Sequence, residues 1–340
     1  MVKKRSAASA NQRGMALVLA LMAISFLVAI TVQLFSTVNW QMQAAGNMGD
    51  SVRLDAMTRS ALNLARAALY TDQKENKFDS LHDSWHTIDP DRIASLMGTG
   101  KLTVTVDDLS GRLQVNALVY SGTNPAKGPA EVARQRELWL RFLTSGMFAV
   151  EDDEKAETLL AAIIDWIDNN DLEFEGKGAE SSYYQGLNPP YSAHDGPMSY
   201  PEELLLIRGM TPELFYGNDK YLGLRRFITV AGSDGKINLN SAPRELIQYL
   251  APGIDEEAAG KLVEFRQEKE NQDALAGPGW YKQVSGFPGD VEINDALLTT
   301  KSQYFQVQAT AENGGVVRTG TGVVFRNDNS EQQLLYWEVR

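Results

Sequence analysis

A run of acidic and amide side chains between residues 165 and 180 is the part of this sequence best suited to bind a ligand. DWIDNNDLEFEGKGAE includes the oxygen-bearing side chains of Asp165, Asp168, Asn170, Asp171, Glu173, Glu175 and Glu180. From residue 168 the chain leaves a predicted helix and enters a glycine-containing loop, where carboxylates can converge. Hard oxygen ligands in such a loop suit calcium. The candidate calcium ligands are Asp168, Asn170, Asp171, Glu173 and Glu180; the EF-hand spacing is absent, and a solvated acidic loop is the alternative.

The rest of the sequence contains few residues in the spacing that known catalytic motifs require. The histidines are His82, His86 and His194, and the first two lie four residues apart, as zinc ligands on one helix face would. No third ligand is near in sequence, so we expect a surface pair. The sequence has no Gly-x-Ser-x-Gly elbow or phosphate loop, and TGTG at 319 to 322 lacks the following helix of a dinucleotide fingerprint. We therefore favour an assembly protein over an enzyme.

A long uncharged segment near the N-terminus predicts a membrane anchor. Met15 to Val32 contain no charged side chain, and as a helix they would extend about 27 Å, enough to cross a hydrocarbon core. A cleaved secretory signal has a shorter apolar run, and QAAG at 43 to 46 is only a weak cleavage site. A basic leader precedes the apolar segment, with Lys3, Lys4, Arg5 and Arg13, and the first acid is Asp50.

The segment after Gly49 continues the anchor as an amphipathic helix. Its apolar residues recur at steps of three and four: Leu54, Met57, Ala61, Leu64, Ala65 and Ala68. We expect one helix from the membrane to about Tyr70, with Gly46 and Gly49 as soft points.

The remaining patterns predict an antiparallel sheet interrupted by helices. Residues 100 to 119 alternate around DLSG and predict a β-hairpin, and three further strands are expected in SQYFQVQATAEN, GVVRTGTGVVFRN and EQQLLYWEVR. Between them DEKAETLLAAIIDWI, SYPEELLLIRGM and SAPRELIQYLAPG predict helices, the last with Ser241 as its cap and Pro243 just inside. The apolar face of the first comprises Leu159, Leu160, Ile163, Ile164 and Ile167.

Charge argues against a nucleic-acid ligand. All 44 acids but only 28 of the 32 lysines and arginines lie after residue 49, so the body is strongly acidic. Residues 237 to 266 resemble a helix-hairpin-helix of DNA receptors, but Asp255, Glu256 and Glu257 would meet the incoming phosphate. The same acids suit a helix N-terminus. The chain has no cysteine, which is compatible with an oxidising compartment.

The basic leader ending in Gly14, the apolar helix and its amphipathic continuation resemble a type IV prepilin. That resemblance implies peptidase cleavage between Gly14 and Met15, and N-methylation of Met15. Prepilins usually place Phe first and Glu fifth in the mature chain, whereas here Met15 is first and Leu19 is fifth. Loss of the fifth-position carboxylate is characteristic of pseudopilin K of type II secretion.

Further segments resemble the pseudopilin K family over essentially the whole chain, among them DDLSGRLQVNAL, IDWIDNNDLEFEGKGAE, YPEELLLIRGMTPELF, INLNSAP and SQYFQVQA. The resemblance implies an α+β pseudopilin fold, in which a long transmembrane helix packs on an antiparallel sheet with a large inserted all-α domain of sterile-alpha-motif-like modules. The resemblance implies a leader over residues 1–14 and a helix over 15–70 that is transmembrane to about residue 34. The first part of the sheet would occupy residues 71–122 and the C-terminal strands residues 298–340. The inserted domain would lie between them, over residues 123–297, and would be divided into two subdomains near residue 230. The resemblance also implies that the protein binds calcium.

The function implied by the resemblance is that of a minor pseudopilin at the tip of the type II pseudopilus. Expected partners are minor pseudopilins I and J, possibly H, the prepilin peptidase and the inner-membrane secretion platform. The expected location is the inner membrane of a Gram-negative bacterium, single-pass, with the body in the periplasm. The alternatives are a minor pilin-like protein of another type IV filament and, with less support, a membrane-anchored DNA receptor.

Leu19 bears on the position in the fibre. The amino terminus of each mature subunit is a positive charge inside an apolar bundle, and the usual Glu of a neighbour neutralises it. Leu19 cannot do so, which favours a single copy at the end.

Overall fold

The computed structural model describes residues 8–89, 93, 100–120 and 128–340. Its first element is a single helix, α1, from Ala8 to Glu75. The helix runs without a break through Gly46 and Gly49, and it ends five residues beyond the predicted Tyr70. Residues 14 to 49 are all exposed, whereas the later part packs against the body. By length and composition the helix from Gly14 could cross a membrane.

The main sheet has four antiparallel strands in the order β1-β6-β7-β8. Their ranges are Lys101–Asp108 for β1, Tyr304–Asn313 for β6, Val316–Arg326 for β7 and Gln332–Val339 for β8. β1 alternates between exposed and buried side chains, as expected for a strand with one face on a core. The three predicted C-terminal strands are therefore confirmed.

Helix α1 and one face of the main sheet share a core. The helix contributes most of the predicted stripe, but Leu64 is exposed, and Leu62 and Leu69 are buried although they were not predicted. The sheet contributes every second residue of β1 and β6. The buried members include Leu54, Ala61, Ala65, Leu69, Leu102, Val104, Val106, Phe305, Val307, Ala309 and Val324. The long helix is thus fixed to the sheet by its second half alone, because its first half touches nothing in the body.

The predicted β-hairpin between residues 100 and 119 is wrong. After β1 the chain does not fold back on that strand; Leu113–Gln114, strand β2, pairs in parallel with Ile228–Thr229, strand β3. The neighbour of β1 is instead β6, with Val106 opposite Val307. The alternating pattern is real, but its second half pairs with a segment more than a hundred residues away.

The segment between β1 and β6 forms the inserted domain. Its α-helices are α2 Pro129–Leu143, α3 Asp153–Ile167, α4 Ser181–Gln185, α5 Pro212–Tyr216, α6 Arg244–Ile247 and α7 Glu256–Gln267. Two short strands, β4 Ile237–Asn238 and β5 Leu298–Thr299, pair in parallel. The predicted helix in SYPEELLLIRGM is a 3-10 helix over Pro201–Leu206.

The inserted domain has its own core, centred on α2 and α3. All five residues predicted for the apolar face of α3 are buried, and the Asp152 side chain caps this helix by accepting from Lys155 N. The predicted cap of α6 is wrong. The helix begins at Arg244 after Pro243, and Ser241 is not its cap because its hydroxyl bonds Asp108 instead.

Candidate functional site

Two buried carboxylates anchor the acidic loop that follows α3. Asp165 lies in the last turn of α3 and is fully buried; its Oδ1 accepts from Phe174 N at 2.8 Å. Its Oδ2 has no hydrogen-bond partner among the described residues. Gly178 passes directly over this oxygen, where an added Cβ would lie 1.8 Å away. The loop is therefore folded back onto the end of its own helix.

Glu180 is the second buried carboxylate, and it is more isolated. Its exposed fraction is 2%, and neither carboxylate oxygen has a hydrogen-bond partner within the described part of the chain. A buried charged group without partners is costly, so such a group usually has a cation or a proton to compensate it.

The electrostatic environment of Glu180 is strongly negative. Burial raises the pKa of Glu180 to about 7, and repulsion from Asp165, Asp168, Asp195 and Asp171 adds to the effect. Burial likewise raises the pKa of Asp165 to about 6, with Asp168 and Glu173 contributing. The carboxylates thus share one field, in which a divalent cation would be stabilised.

The predicted ligands contribute unequally to this site. Asp168 and Asp171 act on Glu180, whereas Glu173 is exposed and acts on Asp165. Asn170 uses its side-chain oxygen to accept from Leu172 N at 3.0 Å. Each of these four residues remains a candidate ligand together with Glu180.

Two acids of the site were missed by the choice of ligands from sequence. Asp165 was assigned to the helix, and its hydrogen bond from Phe174 N shows that it faces the loop. Asp195 lies well beyond the acidic run, in SAHDGP, and adopts a φ of 53°. The composition of that segment carries no signal for an ion.

A different group of three acids brings its carboxylate oxygens close together. Oxygens of Asp72, Asp79 and Asp83, all buried, lie within 4.8 Å of one another. The Arg326 guanidinium already supplies the cation, because it pairs with Asp72 at 3.4 Å and more closely with Asp79. Burial raises the pKa values of Asp72 and Asp79 to about 6. The group is a structural ion cluster with an internal counter-charge.

That cluster continues into a polar junction between the sheet and the inserted domain. Asp108, at the end of β1, accepts from the hydroxyls of Ser241 and Ser302 and from Asn238 Nδ2 at 3.1 Å. Asn238 also donates to Asp79 O at 3.2 Å. The segments DDLSG, INLNSAP and the start of SQYFQVQA thus meet at one place, and their polar residues hold the two halves of the body together.

The histidines do not form a metal site. His82 Nε2 lies 2.8 Å from Arg266 O, His86 Nδ1 lies 3.5 Å from Val106 O, and His194 pairs with Glu203 at 3.2 Å. Each ring therefore has a separate local role.

The helix-hairpin-helix resemblance also has a structural explanation. The Asp255 side chain caps α7 by accepting from Ala258 N at 2.8 Å. Glu256 and Glu257 occupy the first turn of the same helix. These acids stabilise the end where a DNA phosphate would bind, which supports a packing role.

The predicted processing residues lie on the exposed part of α1. An added Cβ at Gly14 would meet no atom within 4 Å, and Met15 and Leu19 are 63% and 60% exposed. Nothing in the body covers them.

Comparison with known proteins finds relatives of one kind. A family model described as Type II secretion system (T2SS), protein K matches residues 111–231. Type II secretion system protein K of Aeromonas hydrophila is 28% identical, with 96% of each chain covered. The Klebsiella pneumoniae protein of the same name is 23% identical, covering 79% of this chain and 77% of the relative.

A solved structure has the same fold. One chain from the crystal structure of the GspK-GspI-GspJ complex of enterotoxigenic Escherichia coli superposes with a TM-score of 0.63, at 16% identity, covering 86% of this chain and 98% of the other. The two chains thus share their overall fold. Residues 111–231 match the type II secretion system protein K family model, and the chain as a whole is similar to proteins of that name.

Proposed function

We propose that this chain is a minor pseudopilin that acts at the tip of the type II secretion pseudopilus and has no catalytic role. The observation that supports this proposal is the exposure of helix α1. The 36 residues from Gly14 to Gly49 are uncharged and exposed, and only the second half of the helix packs on the sheet. A soluble body would not leave such a helix face uncovered. Insertion in a membrane and packing among other subunits' helices both account for it.

Prepilin processing is the direct test of this proposal. A membrane-bound peptidase cuts after Gly14, and Met15 becomes the methylated amino terminus. The intact mass of the chain purified from membranes of a secreting cell should match a methylated chain that starts at Met15. A mature chain starting at any other residue contradicts the proposal.

Gly14→Val should leave the uncleaved precursor, since a side chain obstructs close approach of the peptidase. Gly46→Val is the matched control, because an added Cβ meets no atom within 4 Å at either glycine. The control variant should be processed normally. Equal processing of both variants would show that Gly14 is not the cleavage site.

The partners of the tip are the I and J minor pseudopilins, with H a further candidate. The solved relative was crystallised as a GspK-GspI-GspJ complex, which supports the same assembly here. Leu19 favours one copy at the fibre end. The mass of the complex formed by this chain with I and J should equal one copy of each, and regular labelling of this chain along sheared fibres would contradict the tip position.

The acidic loop binds calcium in this proposal. Glu180 and Asp165 offer three buried oxygens without hydrogen-bond donors among the described residues, and Asp168, Asp171 and Asp195 add negative charge. Carboxylate oxygens of this kind are the ligands that calcium takes. Asn170 and Glu173 are the further candidates from the loop. The cation would replace repulsion between the acids by attraction and fix the loop.

Calcium titration of the full chain in detergent tests this second proposal. A ligand bound only by the folded chain raises the melting temperature, so chelation should lower it. Asp171→Asn should weaken the calcium response, whereas the equally exposed Asp219→Asn, outside the loop, should not. Identical melting curves in calcium and in chelator would contradict calcium binding.

A further inference from the structure

A cleft runs between the inserted domain and the face of the main sheet that does not contact α1. Its volume is about 900 Å³, within the range of ligand-binding clefts. The inserted domain forms one wall with residues 198–202 and 228–232. The other wall is formed by β6, β7 and β8, including Tyr304, Val323 and Leu335. Apolar and aromatic side chains thus line the cleft together with polar and charged ones.

The free edge of the sheet lies beside this cleft. Among the described strands β8 is an outermost strand that pairs only with β7, so its other edge presents backbone groups that no described strand pairs. A register shift between Val323 and Val324 inserts an extra residue, Leu335, which lines the cleft and is 45% exposed. Side chains of β8 therefore extend into the cleft while its backbone edge is available for pairing.

One of the residues that line the cleft, Arg112, lacks a close counter-ion among the described residues. Arg225 and Arg340 pair with Glu202 and Glu338. The Arg112 guanidinium has no ion-pair partner within 4.0 Å among the described residues, although Asp107 and Asp108 attract it from farther away. Burial lowers the pKa of Arg112, and its neighbours Arg225 and Arg226 lower it further.

We propose that this cleft binds an extended, acid-bearing segment of another protein, which adds a strand to β8 and places a carboxylate on Arg112. Strand addition accounts for the free edge, and the carboxylate accounts for the unmatched guanidinium in an otherwise acidic chain. The eight residues of β8 match a segment of about the same length. A second copy of this chain fits less well, because the formal charge of −12 makes two copies repel each other.

The test uses the full chain in detergent and three fluorescent nine-residue probe peptides. One alternates valine and threonine around two glutamates, one has lysines in place of the glutamates, and one is the acidic peptide with methylated backbone nitrogens. Fluorescence anisotropy should show binding of the acidic peptide, at least about tenfold weaker binding of the lysine peptide, and no binding of the methylated peptide. Equal binding of the acidic and lysine peptides, or undiminished binding of the methylated one, overturns the proposal.

Variants of the chain locate the binding. Arg112→Gln should weaken the acidic peptide about tenfold, and Leu335→Lys should weaken it by obstructing the cleft. Arg134→Gln is the matched control, because Arg134 is an exposed arginine on α2 whose partner is Glu131. Melting temperatures of the variants report whether they fold. Equal effects of Arg112→Gln and Arg134→Gln overturn the proposal, as does a concentration-dependent dimer that Leu335→Lys abolishes.

Discussion

At the scale of single residues, Glu180 is the least compensated group of the acidic loop. It is buried, its oxygens have no donor among the described residues, and four aspartates repel it. In the absence of a cation, the remaining way to remove the charge is protonation. Protons and calcium should therefore compete for this site.

The competition predicts an unusual pH dependence in chelator. A carboxyl group with a raised pKa in the folded chain takes up a proton on folding, so its stabilisation is full below the ordinary pKa and is lost as the pH rises through the folded value. That value is about 7 for Glu180 and about 6 for Asp165. The calcium-free chain should therefore melt at a higher temperature at pH 5.5 than at pH 8.

Glu180→Gln should remove most of this difference by raising the melting temperature at pH 8, and it should also abolish the response to calcium. Glu151→Gln, at an exposed position before α3, is the control and should change neither. A Glu180→Gln chain that melts lower than the parent at pH 8 in chelator would show that the buried charge is compensated within the protein.

The sequence indicates this site only in part. The density of acids from Asp168 to Glu180 is visible in the printed chain, and it predicts a calcium-binding loop. The burial of Asp165 and the approach of Asp195 depend on how Gly178 and residues 193–196 fold back, which no local pattern encodes. Proximity in sequence therefore shows the acids of the loop itself but not the distant acid, Asp195, that acts on Glu180.

At the scale of elements, the TGTG segment of β7 has a packing role. The Trp337 indole of β8 lies over Gly320 and Gly322, and it packs against the core shared by α1 and the sheet. An added Cβ at Gly320 would lie 2.1 Å from Trp337 Cζ2, and its nearest neighbours are all atoms of that ring. At Gly322 the nearest atom is the backbone Tyr336 O, at 2.2 Å.

These two glycines should therefore respond differently to a second substitution. Gly320→Ala and Gly322→Ala should each lower the free energy of unfolding by about 1–3 kcal/mol, because overpacking forces neighbours to move. Trp337→Ala should rescue Gly320→Ala but not Gly322→Ala, and a double-mutant cycle measured by denaturant unfolding checks this. Equal rescue of both would show that the Gly322 contact with Tyr336 O is relieved by a small backbone shift.

Most elements were predictable because their periodicity is local. Most of the stripe of α1, the buried face of α3 and the three C-terminal strands follow from residue spacing, although Leu64 of the predicted stripe is exposed. The hairpin prediction is wrong because the alternating pattern around Leu113 and Gln114 indicates a strand but not its partner. The partners, Ile228 and Thr229, are brought there by the fold of the inserted domain. Ser241 failed as a cap because Asp108, distant in sequence, takes its hydroxyl.

At the scale of the whole molecule, one buried amide joins the two halves of the body. Asn238 of β4 donates to Asp79 O, Asp108 Oδ2 and Ser302 Oγ, and its side-chain oxygen accepts from Asn240 N at 3.0 Å. These partners belong to segments before, inside and after the insertion. The junction therefore depends on a residue that sequence reasoning had assigned only to a family signature.

Asn238→Ala should lower the free energy of unfolding by about 2 kcal/mol, because it leaves buried groups without a donor. Calorimetry should also show the sheet and the inserted domain separating into less cooperative transitions. Asn63→Ala, on the exposed face of α1, should leave the profile unchanged. If Asn238→Ala lowers the melting temperature but the chain still unfolds in one cooperative transition, the other junction contacts suffice to couple the two halves.

The position of the inserted domain has a mechanical consequence. Its two chain connections lie side by side, since Leu109 N donates to Tyr304 O at 2.9 Å where β1 ends and β6 begins. A tension applied along α1 enters the sheet through their common core, and it does not have to travel along the inserted chain. The sheet can therefore transmit a pushing force to the inserted domain. A pulling force on the membrane helix does not unfold the inserted domain.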